Sequence, residues 1–197
     1  MRDSTSHLLV AVVMRLRDGG FEYLIRRVER HPREALDEAL ARAIDLDGLT
    51  HVEQLETRAF DDGTMATIYL GLARATSSVD GSWTTHLSKS DAALVEVARA
   101  RLRAKLSYTN LGFALAPEVF TISELREVYV AALGHDVSAT NLKRVLLRRD
   151  VLHPTGQRRS SGRAGGRPAE TFRFRSRTLE ITDPFAALRP PTASELP

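Results

Sequence analysis

Apolar residues along the first third of the chain recur in two rhythms. Leu8 to Leu16 is a nearly unbroken apolar run, Asp18-Gly19-Gly20 follows as a turn signal, and Phe21 to Arg26 continues it, which reads as a β-hairpin. Leu36, Ala39, Leu40, Ala43 and Ile44 then fall at i, i+3, i+4, i+7 and i+8, the apolar face of one helix. Pro32 stands where a first-turn proline is tolerated and Gly48 follows as a stop signal. Val52 to Ala59 and Thr64 to Ala75 read as two more strands about Asp61-Asp62-Gly63, the second with Ala66, Ile68, Leu70 and Leu72 on one side. Thr76 to Ser82 is a polar loop, and Trp83 is expected to plug a core edge.

From Asp91 to about Lys105 the period becomes helical, with Leu94, Val97, Ala98, Arg101 and Leu102 along one stripe. That stripe suits burial against its own domain or a dimer seam. Strands stop here, so a domain boundary is expected inside or just before this helix. Thr121-Ile-Ser-Glu124 is a capping box opening a helix with Leu125, Val128, Tyr129, Ala132 and Leu133 inward. Gly134-His-Asp-Val137 is a short turn, after which Ser138 caps a second helix with Leu142, Val145 and Leu146 on its apolar side. Two short helices joined by a glycine-containing turn are a helix-turn-helix. Val151-Leu152, a turn at Pro154-Thr-Gly156, the loop Gln157 to Ala169 and the alternating Thr171-Phe-Arg-Phe-Arg175 add a hairpin with a basic tip, a wing. The expected fold is α+β: a mixed domain over residues 1–90, a linker helix and winged helix-turn-helix over 91–177, and an extended, loosely held tail over 178–197.

Charge sharpens this division. Residues 1–98 carry 11 Lys/Arg against 16 Asp/Glu, and residues 99–177 carry 16 against 6, although the whole chain is only +3. Such asymmetry points to a polyanion as partner of the rear half. Cysteine is absent, which excludes disulfides and thiolate metal sites. The run His7–Met14 is too short to cross a bilayer and has no basic leader, so a cytoplasmic protein away from membranes is expected. The six histidines are dispersed without metal-ligand spacing, and neither a metal nor a cofactor is expected.

Within the second helix of the helix-turn-helix, Thr140, Asn141, Lys143, Arg144, Arg148 and Arg149 fall on the solvent side. A recognition helix turns its N-terminal side chains to base edges, which nominates Thr140, Asn141 and Arg144, since asparagine suits adenine and arginine suits guanine. Ser138, Lys143 and Arg148 are candidates for phosphate. The wing adds Arg158, Arg159, Arg163 and Arg167 without an acid, suited to the negative potential of a narrow minor groove, and Gly166-Arg167-Pro168 resembles an AT-hook core. Few aromatics accompany them, which argues against single-strand stacking. Ser107-Tyr108-Thr109-Asn110 is a connector, an ordinary loop or a hinge between the two halves.

The segment Arg99 to Tyr129, with Leu152-His-Pro-Thr-Gly156 and Gly166-Arg-Pro168, resembles the NrtR family, the Nudix-related transcriptional regulators of bacteria. The resemblance is close over residues 99–175. It implies a Nudix-like sensor domain ahead of a winged helix, a homodimer on a palindromic operator in double-stranded DNA, repression of NAD-related genes, and a nucleotide effector such as ADP-ribose. The Nudix box G-x5-E-x7-R-E-U-x-E-E-x-G-U, with U aliphatic, survives only in part. With Glu34 on its first Glu, Arg42 and Ile44 match, but Val28, Ala43, Leu46 and Asp47 stand at the Gly and the later Glu positions, and Gly48 arrives one residue early. Nudix hydrolysis needs several carboxylates on one helix to hold divalent cations, so no catalysis is expected. The rival reading is a divergent Nudix hydrolase acting on ADP-ribose or a related diphosphate.

Overall fold

The computed structural model describes residues 7–159 and 168–183. The chain divides into two compact units, a front one built on residues up to Arg101 with Ala114–Ala116, and a rear one built on Leu102–Phe113 and the residues from Pro117 onward.

The front unit holds a four-stranded sheet in the order β2-β1-β4-β3, from β1 (His7–Arg17), β2 (Gly20–Arg30), β3 (His51–Ala59) and β4 (Met65–Ala73). β1 is antiparallel to β2 and parallel to β4, as a crossover through α1 (Leu36–Ala43) and β3 permits. The β1–β2 turn has Asp18 and Gly19 both at positive φ, the geometry that matches strand twist in a two-residue hairpin. Leu9 to Met14 are all buried, so the centre of β1 is covered on both faces, which is why its sequence is continuous rather than alternating. On one side Leu9, Ala11, Val13 and Leu24 pack with Ala39, Leu40 and Ile44 of α1 and with Val79, and Trp83 lies against them. The Trp83 indole N–H donates to the Val79 carbonyl at 3.1 Å, and the Arg15 guanidinium stacks 3.9 Å from its ring. On the other side Arg99 reaches over Phe21 from α2 (Lys89–Tyr108), a helix capped by Ser88, whose Oγ accepts from Asp91 N at 3.1 Å. The unit is thus an α/β/α layering.

Several expectations need revision. β4 is buried on both faces, not one: Thr67 and Ala73 are covered as well as Ala66, Ile68, Leu70 and Leu72. α1 begins four residues after Pro32 and stops at Ile44, whose backbone is extended. Gly48 therefore ends nothing; a Cβ there would lie 2.4 Å from Val79 Cγ2, so its role is close approach of the backbone to the core. The buried stripe of α2 runs through Leu94, Val95, Ala98, Leu102 and Leu106, with Val97 and Arg101 only half-covered. Those apolar residues are already buried within a single copy, so they are not free to form a dimer seam.

The rear unit combines α3 (Ile122–Leu133) and α4 (Ala139–Arg148) with a three-stranded sheet, order β5-β7-β6, from β5 (Phe120–Thr121), β6 (Leu152–Arg159) and β7 (Ala169–Phe174). Its core holds Phe113, Phe120, Phe172 and Phe174, with Leu125, Val128, Tyr129 and Ala132 of α3 and Leu142 and Leu146 of α4. Phe120 and Phe174 stand 5.3 Å apart and Phe113 meets Phe174 edge-on at 6.4 Å. Pro154-Thr-Gly156 is an irregularity inside β6 rather than a turn, because the strand runs on to Arg159 with a register shift against β7. Proline is tolerated there since β6 is an edge strand. The tail is not loose at its start: Asn110 Nδ2 donates to the Thr178 carbonyl at 2.8 Å and Thr182 N to the Tyr108 carbonyl at 2.8 Å.

Candidate nucleic-acid interface

The two helices of the rear unit are set by local chemistry. Thr121 Oγ1 accepts from Glu124 N at 3.3 Å while Glu124 Oε2 accepts from Thr121 N at 2.7 Å, the reciprocal capping box. α3 closes on Gly134, at φ 78, a left-handed position where a side chain would be strained. The turn after it is clamped by Arg126, which donates from Nε to the Val137 carbonyl at 2.7 Å and pairs with Asp136. Ser138 then caps α4, its Oγ accepting from Asn141 N at 3.4 Å.

α4 buries Leu142 and Leu146 and exposes Thr140, Asn141, Arg144, Leu147 and Arg148, one side of the helix at i, i+1, i+4, i+7 and i+8. Arg144 donates to Asn141 Oδ1 at 2.7 Å, which ties together two of the side chains expected at base edges. Lys143 is tethered: its ammonium pairs with Glu170 of β7 at 2.8 Å and lies 4.9 Å from the Phe172 ring. Arg159 is tethered too, to Glu124 at 2.7 Å and to the Val119 carbonyl at 3.1 Å. Both pairs are solvent-exposed, worth about 0–1 kcal/mol each, so exchange of the acid for a phosphate is cheap. Arg158 is exposed on β6, while Arg163 and Arg167 lie outside the described residues.

Sequence reasoning missed three features. Arg149, counted on the solvent side, is half-buried and donates to the carbonyls of Ser107 and Thr109 at 3.2 and 3.1 Å and to Thr182 Oγ1 at 3.0 Å. Asp150 takes φ 58, and its N–H and that of Val151 bond the Leu147 and Leu146 carbonyls, a full Schellman closure built without glycine. His153, Arg173, Arg175 and Arg177 line a shallow basic groove beside β6 and β7, a face that the Phe-Arg-Phe-Arg alternation signalled. Beneath the site, burial pushes the Tyr129 hydroxyl up to about 12, and a Cβ on Gly112 would sit 3.0 Å from it.

In the front unit the surviving box residues face each other. Glu34 accepts from Arg42 Nε and Nη2, both at 3.0 Å, and also from His31 N at 3.0 Å. The Arg42 hydrogen bonds, then the backbone one, hold its carboxyl down at about 2. Asp45 Oδ1 accepts from Asp47 N at 3.1 Å. Among the described residues there is no group of three or more His, Cys, Asp or Glu side chains placed to hold a metal ion, and no helix long and apolar enough to cross a membrane.

A capped helix, clamped turn, exposed helix and two-stranded wing in this order coincide with a known family model, the NrtR DNA-binding winged helix domain, over residues 112–174. Those residues are similar to the NrtR-type winged helix over the whole of α3, α4 and the two wing strands. An ADPR responsive transcriptional repressor NtrR of Acinetobacter baylyi is 35% identical over 91 residues, 46% of this chain. The match spans 35% of that relative, about a third of its length. In fold the chain is similar to Shewanella oneidensis NrtR complexed with a 27mer DNA, at TM-score 0.63 and 23% identity over 85% of this chain and 92% of that one. It is also similar to a MutT/nudix family protein of Enterococcus faecalis, at TM-score 0.60 and 12% identity over 88% of each chain. The α+β fold is therefore shared with both proteins.

Proposed function

We propose that the chain is a sequence-specific DNA-binding transcriptional repressor, a homodimer on a palindromic operator, acting in the cytoplasm. The observation that carries this is the open polar side of α4 within an NrtR-type winged helix. Thr140, Asn141 and Arg144 read bases, Ser138, Lys143 and Arg148 hold phosphates, and Arg158, Arg159, Arg163 and Arg167 are the wing's contacts. The linker helix and winged helix of residues 91–177 form the reading half, and residues 1–90 the sensor half. Because the Acinetobacter relative is named for its response to ADPR, a nucleotide of the ADP-ribose class is the proposed effector, and NAD-related genes the proposed targets.

The sensor half is proposed to be non-catalytic. Two carboxylate positions of the box are Ala43 and Leu46, and Glu34 is held by Arg42. The Nudix-like fold supports the rival hydrolase reading, so both are tested directly. Titrating the chain's own promoter against random duplex over a salt series should give preferential binding and a steep log–log slope. Equal affinity for both duplexes sinks the regulator. Incubation with ADP-ribose and Mg²⁺ should give no turnover; turnover abolished by Glu34→Gln or Asp47→Asn would establish the hydrolase instead.

A further inference from the structure

We propose that Arg149 is a positioning residue that locks the end of the recognition helix to the last turn of α2, so that the two helix ends move as one body. The final carbonyls of a helix have no intrahelical partner and carry the negative end of its dipole. At the end of α2 those carbonyls belong to Ser107 and Tyr108, followed by Thr109. Arg149, the C-cap of α4, takes the first and third, at 3.2 and 3.1 Å. The middle one is taken by the returning chain, from Thr182 N at 2.8 Å and Asp183 N at 3.0 Å. Thr182 joins the two halves of the latch: its Oγ1 accepts from Arg149 Nε at 3.0 Å and donates to the Tyr108 carbonyl at 3.3 Å. The strap itself is pinned to the connector, because Asn110 Oδ1 accepts from Glu180 N at 2.8 Å and Asn110 Nδ2 donates to the Thr178 carbonyl at 2.8 Å.

Arg149 is held rigidly from its own side as well, by the Schellman closure through Asp150 and Val151. A guanidinium that serves two backbone carbonyls and a hydroxyl cannot turn to a phosphate without leaving them unpaired. α2 is the helix by which the chain enters the reading module, and its far end is thereby wired to the element that meets DNA. A displacement of α2 is passed to α4 through three polar contacts rather than through a loose connector. The geometry stands by itself; its consequence for DNA rests on the regulator reading above.

The chain contains no cysteine, so spin labels can be placed uniquely. In full-length protein without DNA, nitroxides on Ala104→Cys in α2 and Leu147→Cys in α4, both exposed positions, report the separation of the two helices, with labelled chain diluted into unlabelled. One narrow distance distribution is expected, broadened on the order of twofold by Arg149→Met, which frees this lobe to open locally. Thr182→Val, which removes no charge, should broaden it in the same sense and covers the case in which Arg149→Met does not fold. An unchanged distribution in a folded Arg149→Met protein overturns the latch. On operator DNA, Arg149→Met should lose about tenfold in affinity, the scale of a lost charge-assisted hydrogen bond, at an unaltered salt slope. A slope shallower by about 0.9 with the distribution unchanged would make Arg149 a phosphate contact instead. Broadening without any specific duplex bound would remove the regulator reading and leave the latch.

Discussion

α1 and α4 are both short, both amphipathic and both carry a charged outer side, yet they spend those charges differently. Beside α1 one pair is closed: Glu34, just ahead of the helix, and Arg42 form a two-pronged pair, and Arg42 also reaches the Glu29 carbonyl at 2.8 Å. On α4 the cations of Arg144 and Arg148 point outward, with an amide neighbour as the nearest partner of Arg144. A carboxylate already gripped by a guanidinium has little left to offer a diphosphate or its metal ions. A helix that leaves its guanidinium groups facing solvent retains their attraction for a polyanion, because among the described residues no carboxylate neutralises them. The difference separates a charge already paired within the fold from charges that still face solvent.

The sharpest way to break that comparison is to remove what presents α4. Phe120→Ala, at a fully buried ring, should cost about 3–5 kcal/mol in urea unfolding of the rear unit and abolish DNA binding with it; a loss below about 1 kcal/mol would mean the ring is not a keystone. Next, Arg144→Ala should weaken operator binding by about 1–3 kcal/mol and relax preference at one base position, read by competition with single-base variants of the site. A uniform loss across all variants would instead assign Arg144 to phosphate. Thr121→Ala, which deletes the cap of α3, should lower stability by about 0.5–2 kcal/mol while the base preference stays as it was. The smallest effect belongs to α1. The Glu34 carboxyl should titrate near 2 in the folded chain, followed by its NMR carbonyl shift, and move back toward the ordinary 4.5 in Arg42→Gln. Since this pKa is depressed on folding, its contribution to stability is present above 4.5 and is lost as pH falls toward 2. A midpoint near 4.5 in the parent protein would show that the pair is open and the Glu34 carboxylate unheld.

Much of the architecture was legible in short-range signals. The capping box at Thr121 and Glu124, the glycine at the end of α3, and the stripes of α4 and, short of Ile44, of α1 each depend on contacts within a few residues, and each appears where the pattern placed it. The wing's Phe-Arg alternation likewise announced which side chains face out. What failed to show were features whose partners lie far along the chain. Gly48 resembles a helix stop until Val79 is seen against it. Pro154-Thr-Gly156 resembles a turn until β7 is seen to continue pairing past it. Lys143 and Arg159 resemble free cations until Glu170 and Glu124 are found beside them.

From its sequence alone the protein had a determined order of elements, a division of charge between its halves and an amphipathic α4 with a polar outer side, since local periodicity and capping decide such things before any tertiary contact forms. Only the tertiary structure decided which of those charges remain available. Whether an arginine meets a phosphate or a carbonyl depends on what folds back beside it, and Arg149, one residue beyond Arg148 on the same helix end, is turned inward by a strap that returns from residues 178–183.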